Sequence, residues 1–183
     1  MTAISLEDRL NALEAELRAV RDQLEIYQLT AAYGPAADSG DARATSELWT
    51  EDGEYDWGRG KSLPEAGMVE GLGGGAKGRA EIAQMVEGPY HQGVINNGAA
   101  HTLSLPHVVI QGDTAISTAY VCVFSHDGDA WRAWRVSASH FHWVRRTDGW
   151  KLQRRLNRSL NGAAEARALL ADGLAGRLPD ERI

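Results

Sequence analysis

The chain has 183 residues, enough for a single domain with a short remainder at roughly 150 residues per domain. Hydrophobic residues make up 43% and charged residues 24%, ordinary for a globular protein and unlike disordered, collagenous or purely coiled-coil chains. A net charge of -6, with one cysteine, argues against a nucleic-acid partner, an intramolecular disulfide and a multi-cysteine zinc site.

Residues 5–33 lack Gly and Pro and are rich in Leu, Ala, Glu, Arg and Gln, which predicts a long helix capped by Ser5. Leu6, Leu10, Leu13, Leu17, Val20, Leu24 and Tyr27 alternate at spacings of four and three, a heptad seam. Either this helix pairs with other copies of the chain, or its apolar stripe lies on its own domain. Gly34-Pro35 should kink or end it. Asp41 then caps a short helix through Leu48, and Glu54–Trp57 reads as a short strand. Residues 58–78 are dense in glycine, including Gly71-Leu-Gly-Gly-Gly75, and form a candidate lid or binding loop. They lack the Gly-Lys-Ser/Thr ending of a phosphate loop.

Residues 79–86 are helical in period. Four β-rich stretches follow, at about 101–110, 114–125, 131–145 and 149–158, separated by Gln-Gly-Asp, His-Asp-Gly-Asp and Thr-Asp-Gly turns. Such hairpins predict a curved antiparallel sheet, and residues 163–174 form a last helix. Helices first and strands afterwards define an α+β fold in which helices cover one face of a bent sheet. The expected division is an N-terminal helical extension over 1–23, a main domain over 24–162, and a C-terminal helix and tail over 163–183. The charged start and the lack of a long apolar run lead us to expect a cytoplasmic protein with no membrane partner.

Tyr33, Asp38-x-Gly-Asp41, Leu48-Trp-Thr-Glu-Asp-Gly53, His101 and Arg145-Arg-Thr-Asp-Gly-Trp-Lys151, in this order, resemble the SnoaL-like branch of the nuclear transport factor 2-like superfamily over about residues 24–162. The resemblance implies a conical α+β barrel wrapping a deep pocket. In polar constellation it is nearest to bile acid 7α-dehydratase, scytalone dehydratase and hexachlorocyclohexane dehydrochlorinase. It therefore implies a cofactor-independent, metal-free lyase with His101 as base and Asp38 holding it. Tyr33 would serve as proton donor or carbonyl partner. Arg155 would contact the substrate or leaving group, with Arg154 as the register-shifted alternative. The fold also carries isomerases, dehydrohalogenases, carbon–carbon lyases and binding modules.

The residues themselves admit other readings. Asp38 could be a turn residue, His101 a satisfied strand residue, and Tyr33 a core aromatic. His140 and His142 share one strand face, opposite Phe141 and Trp143, and line either a pocket or a subunit interface. Tyr55 and Trp57 are candidates for stacking on a ringed substrate, and Trp49, Trp57, Trp131 and Trp134 for a cavity rim. Trp150 and Cys122 read as core. A small hydrophobic or aromatic substrate and a homo-oligomer are expected, a trimer favoured with a dimer as the alternative.

Overall fold

The computed structural model describes residues 5–58 and 74–179. Most of the glycine-rich segment proposed as a lid, residues 59–73, lies outside them. The helix α1 (Leu6–Asp38) carries the Ser5 cap, whose side chain accepts from the Asp8 N–H. It runs unbroken through the expected boundary between residues 23 and 24 and continues past Pro35. Pro35 has no N–H to give the carbonyl four residues earlier, but the Pro35 and Ala36 carbonyls still accept from the Ser39 and Asp41 N–H groups, and the helix ends three residues later. Gly40, at φ 71°, supplies the left-handed residue that closes such a helix end.

The short helix α2 (Ala42–Ser46) is capped by Asp41, as expected. The strand β1 (Trp49–Asp56) pairs with β2 (Gly75–Lys77). Two helices follow, α3 (Gly78–Glu87) and α4 (Pro89–Asn96), of which only the first had a sequence signal. The remaining strands are β3 (Ala99–Leu103), β4 (His107–Gln111), β5 (Thr114–His126), β6 (Trp131–Arg146) and β7 (Gly149–Ser159). The single strand expected at 101–110 is thus two, divided at the segment containing Pro106; both pair with β5. The helix α5 (Ala164–Leu174) closes the described fold.

The strands form one curved sheet of order β2-β1-β7-β6-β5-β3, open rather than closed into a barrel. It is also mixed, since β1 runs parallel to β7 with Tyr55 opposite Arg155. Hairpin turns specify the antiparallel neighbours of β5, β6 and β7, but no local signal specifies a pairing between strands about a hundred residues apart. Helices also cover both faces rather than one. The main core contains Ile26 and Tyr33 of α1, Ile82, Met85 and Val86 of α3, and Phe141, Trp143 and Trp150 of the sheet. On the opposite face α5 packs Ala166 and Leu169 against Ala138 and Leu156.

Two features fix α1 on the sheet. The Asp22 carboxylate takes hydrogen bonds of 2.7 and 2.6 Å from the Arg145 guanidinium and one of 3.1 Å from the Trp150 indole N–H. Glu25 accepts the Trp150 backbone N–H at 2.8 Å. Twelve residues beyond Asp22, Gly34 lies so close to β3 that a Cβ would sit 2.2 Å from the His101 carbonyl oxygen. Only glycine permits that approach, and it delivers the end of α1 to His101.

Candidate functional site

Asp38 projects from the last turn of α1 and grips one residue of β3 twice. One carboxylate oxygen accepts the His101 backbone N–H at 2.7 Å, and the other lies 2.5 Å from the His101 Nδ1. A carboxylate only accepts, so Nδ1 carries the proton and Nε2 is the ring's basic nitrogen. Burial raises the Asp38 pKa, but the ring and backbone hydrogen bonds from His101 outweigh it and hold the carboxyl below its ordinary value. Both side chains are mostly enclosed, with 12% of His101 and 23% of Asp38 exposed.

His101 borders a small cavity between the sheet and helices α1, α3 and α4, about 50 Å³ in volume. Met85, Val94 and Val123 supply apolar wall, and Trp134 stands at the rim, 41% exposed. Its position follows from a bulge: Val123 pairs with Arg135 and Phe124 with Ala133, leaving Trp134 as the extra residue, and such bulges re-aim side chains. Tyr33, Tyr55, Tyr90, His91 and Arg135 complete the polar lining.

Tyr33 stands edge-on to the His101 ring at 6.5 Å. Burial pushes its phenol pKa well above the ordinary range, which keeps it a proton-bearing donor. Tyr55 behaves oppositely. Burial raises its pKa, but the positive charges of Arg155 and Arg135 outweigh this and bring the phenol below its usual value. Its hydroxyl also accepts a hydrogen bond of 2.8 Å from Asn157.

Arg155 is fully buried. Its guanidinium carbon lies 4.0 Å from the centre of the Tyr33 ring and 4.7 Å from that of Tyr55, and its Nε donates to Ser139 at 3.2 Å. Arg155 thus stands behind the two tyrosines instead of on the cavity wall. Arg154 points to the other side, 3.7 Å from Glu54.

The other candidates divide by sheet face. Trp49 and Trp57 are buried in the main core, each in ring contact with Tyr55. They support the wall without forming it. His140 and His142 fall outside the cavity: Phe141 and Trp143 occupy the core face, while His140 lies with its Nε2 2.9 Å from the Arg177 carbonyl oxygen beyond α5. Burial lowers the pKa of both histidines. Trp131 is 56% exposed against His126. Trp150 is core, and Cys122 is half-buried beside the buried Val121 and Val123.

Of the polar lining, Tyr90, His91 and Arg135 have no role assigned from the sequence. His91, on α4, places its ring 5.8 Å from His101 and its Nε2 2.9 Å from the Ala37 carbonyl oxygen; burial lowers its pKa. Arg135 has a buried Nε with no hydrogen-bond partner among the described residues. No periodicity marks any of the three, since α4 has no strong helical signal and Arg135 owes its aim to the neighbouring bulge. Among the described residues no three His, Cys, Asp or Glu side chains are grouped to hold a metal ion, and no helix is long and apolar enough to cross a membrane.

The SnoaL-like domain family matches residues 18–156, and the chain belongs to that family. No curated protein matches the chain. Among solved structures, an NTF2-like protein with a cystatin-like fold from Novosphingobium aromaticivorans is 40% identical, with a TM-score of 0.78 over 92% of this chain and 99% of that one. A protein from the same organism, provisionally described as an aromatic ring hydroxylase, is 28% identical with a TM-score of 0.55, over 77% of this chain and 90% of its own. Another, provisionally described as a scytalone dehydratase, shares the fold at 17% identity and a TM-score of 0.56, over 80% of this chain and 87% of its own.

Proposed function

We propose that the protein is a lyase of the dehydratase type acting on a hydrophobic, ring-bearing small molecule such as a steroid, polyketide or aromatic compound. The observation that carries this reading is the Asp38–His101 pair at the edge of a largely apolar cavity, with the basic nitrogen of His101 left unused by the pair. In the elimination, His101 Nε2 removes a proton from carbon beside a carbonyl. The resulting electron pair forms the carbon–carbon double bond as the C–O bond breaks. Asp38 holds the tautomer and stabilises the imidazolium. Tyr33 donates a hydrogen bond to the carbonyl, and Arg135 faces the enolate oxygen.

The departing hydroxyl needs a proton to leave as water. Tyr55 is the better donor of the two phenols, because the neighbouring arginines stabilise the phenolate it becomes. Arg155 contributes from behind the tyrosines as a fixed positive charge. Proton transfer from the imidazolium back to Tyr55 through solvent restores the starting state.

The test is incubation with a panel of ring-bearing β-hydroxy carbonyl compounds, followed by product mass. Loss of water supports the reading. An unchanged mass with rearrangement would assign an isomerase, and loss of hydrogen halide or of formaldehyde would assign another elimination by the same base. His101→Ala should abolish turnover with the circular dichroism spectrum intact; full activity in that variant removes His101 from the mechanism.

A further inference from the structure

The described part of α1 before Asp22 buries nothing. Every residue from Ser5 through Arg21 is exposed, including Leu6, Leu10, Leu13, Leu17 and Val20 at 72%, 52%, 60%, 51% and 63%. Leu24 is also exposed, at 55%. A helical stretch of this length with no buried residue gains little from its own domain and is marginal in water. The family match begins at residue 18, so most of these turns lie outside it.

In heptad notation Leu10, Leu17 and Leu24 occupy a, and Leu6, Leu13, Val20 and Tyr27 occupy d. The residues that α1 buries against its own domain, Asp22, Ile26, Thr30 and Tyr33, fall at f, c, g and c. The seam and the docking face therefore lie on different sides of one helix, so the domain leaves the seam open.

Charge selects the occupant. The g positions carry Arg9 and Glu16, and the e positions one heptad further on carry Glu14 and Arg21. In a parallel, in-register coiled coil each g residue faces the e residue of the following heptad in its neighbour. Arg9 then meets Glu14 of the other copy, and Glu16 meets Arg21. An antiparallel arrangement sets e against e and g against g and is equally attractive, Glu14 meeting Arg21 and Arg9 meeting Glu16, but it also sets a against d and leaves one of the four d residues unmatched, whereas parallel, in-register packing layers all seven seam residues. We propose that the seam of α1 seats the same helix of a second copy of this chain, parallel and in register. The same pairs would recur around a three-stranded bundle.

The test uses the full chain in light scattering, where a mass of two or three times 19.9 kDa is expected and a monomer overturns the proposal. Leu13→Asp with Leu17→Asp changes exposed positions only, so the near-ultraviolet tryptophan spectrum should persist while the mass falls; an unchanged mass overturns the proposal. Two charge variants then read the orientation. Glu14→Arg with Arg21→Glu places like charges at both parallel pairs, as does Arg9→Glu with Glu16→Arg. Each alone should assemble at least tenfold more weakly at low salt, and mixing the two should restore assembly. The first variant assembling as strongly as the unmodified chain overturns the parallel arrangement, because antiparallel helices would retain its attraction.

Discussion

The two halves of α1 show what separates a helix that organises a site from one that only presents a surface. Both are built of strong helix formers, and both carry an apolar period. The half after Arg21 is held by the Asp22–Arg145–Trp150 cluster and by the contact of Gly34 with β3. The half before Asp22 has the more regular leucine pattern and buries none of it. Regular periodicity thus marks a face that needs a partner, whereas the site-bearing half is marked by a buried carboxylate and a glycine, neither of which scores as amphipathic.

That contrast predicts a ranking of effects. Gly34→Val should be the most damaging change, since its Cβ would meet the His101 carbonyl oxygen at 2.2 Å. Loss of about 3 kcal/mol of stability in urea unfolding is expected, together with loss of turnover, because the displaced helix carries Asp38. Wild-type behaviour would mean that the end of α1 does not depend on this contact.

Asp22→Ala should follow, at about 2 kcal/mol, less than a fully buried ion pair because 30% of the Arg145 side chain remains exposed. Hydrogen bonds from Arg145 hold the Asp22 pKa below its ordinary value. The stabilisation it gives is therefore present above the unfolded carboxylate range and is lost as pH falls through the depressed folded value. Acid titration of Tm should show this loss, and Asp22→Ala should remove its share.

A smaller dependence is expected nearer neutrality. Burial lowers the pKa of His140 and His91 in the folded protein, so the unfolded chain takes up protons first as pH drops below about 6.5. Stability should decline between pH 7 and 5, and His140→Gln should flatten part of that slope. An unaltered slope would remove His140 from the account. The smallest effect belongs to Leu17→Ser, 51% exposed in the wild type: unfolding of the dissociated chain should shift by less than about 0.5 kcal/mol. A larger loss would show that the first half of α1 packs on its own domain.

Much of the fold was legible locally. The cap at Ser5, the cap at Asp41 and the Asp-Gly turns between the long strands each require particular side chains at particular positions, and the structure has them there. The pairing of Asp38 with His101 came only through resemblance, since the residues are 63 apart and neither shows its partner in its own surroundings. The alternation of β6 established that His140 and His142 share a side, but alternation alone leaves open which side meets the cavity. In β7 it likewise separated Arg154 from Arg155 without saying which turned inward.

The sequence by itself determined the helices and hairpins it marked, the residues that share each strand face, and the leucine seam, because propensity, turn chemistry and side-chain period act over a few residues. Only the tertiary structure decided the parallel pairing of β1 with β7, the face given to α5, the placing of His91 and Arg135 on the cavity, and the exposure of the seam. Those outcomes depend on which distant surfaces bury one another, a choice made by the packing of the whole chain.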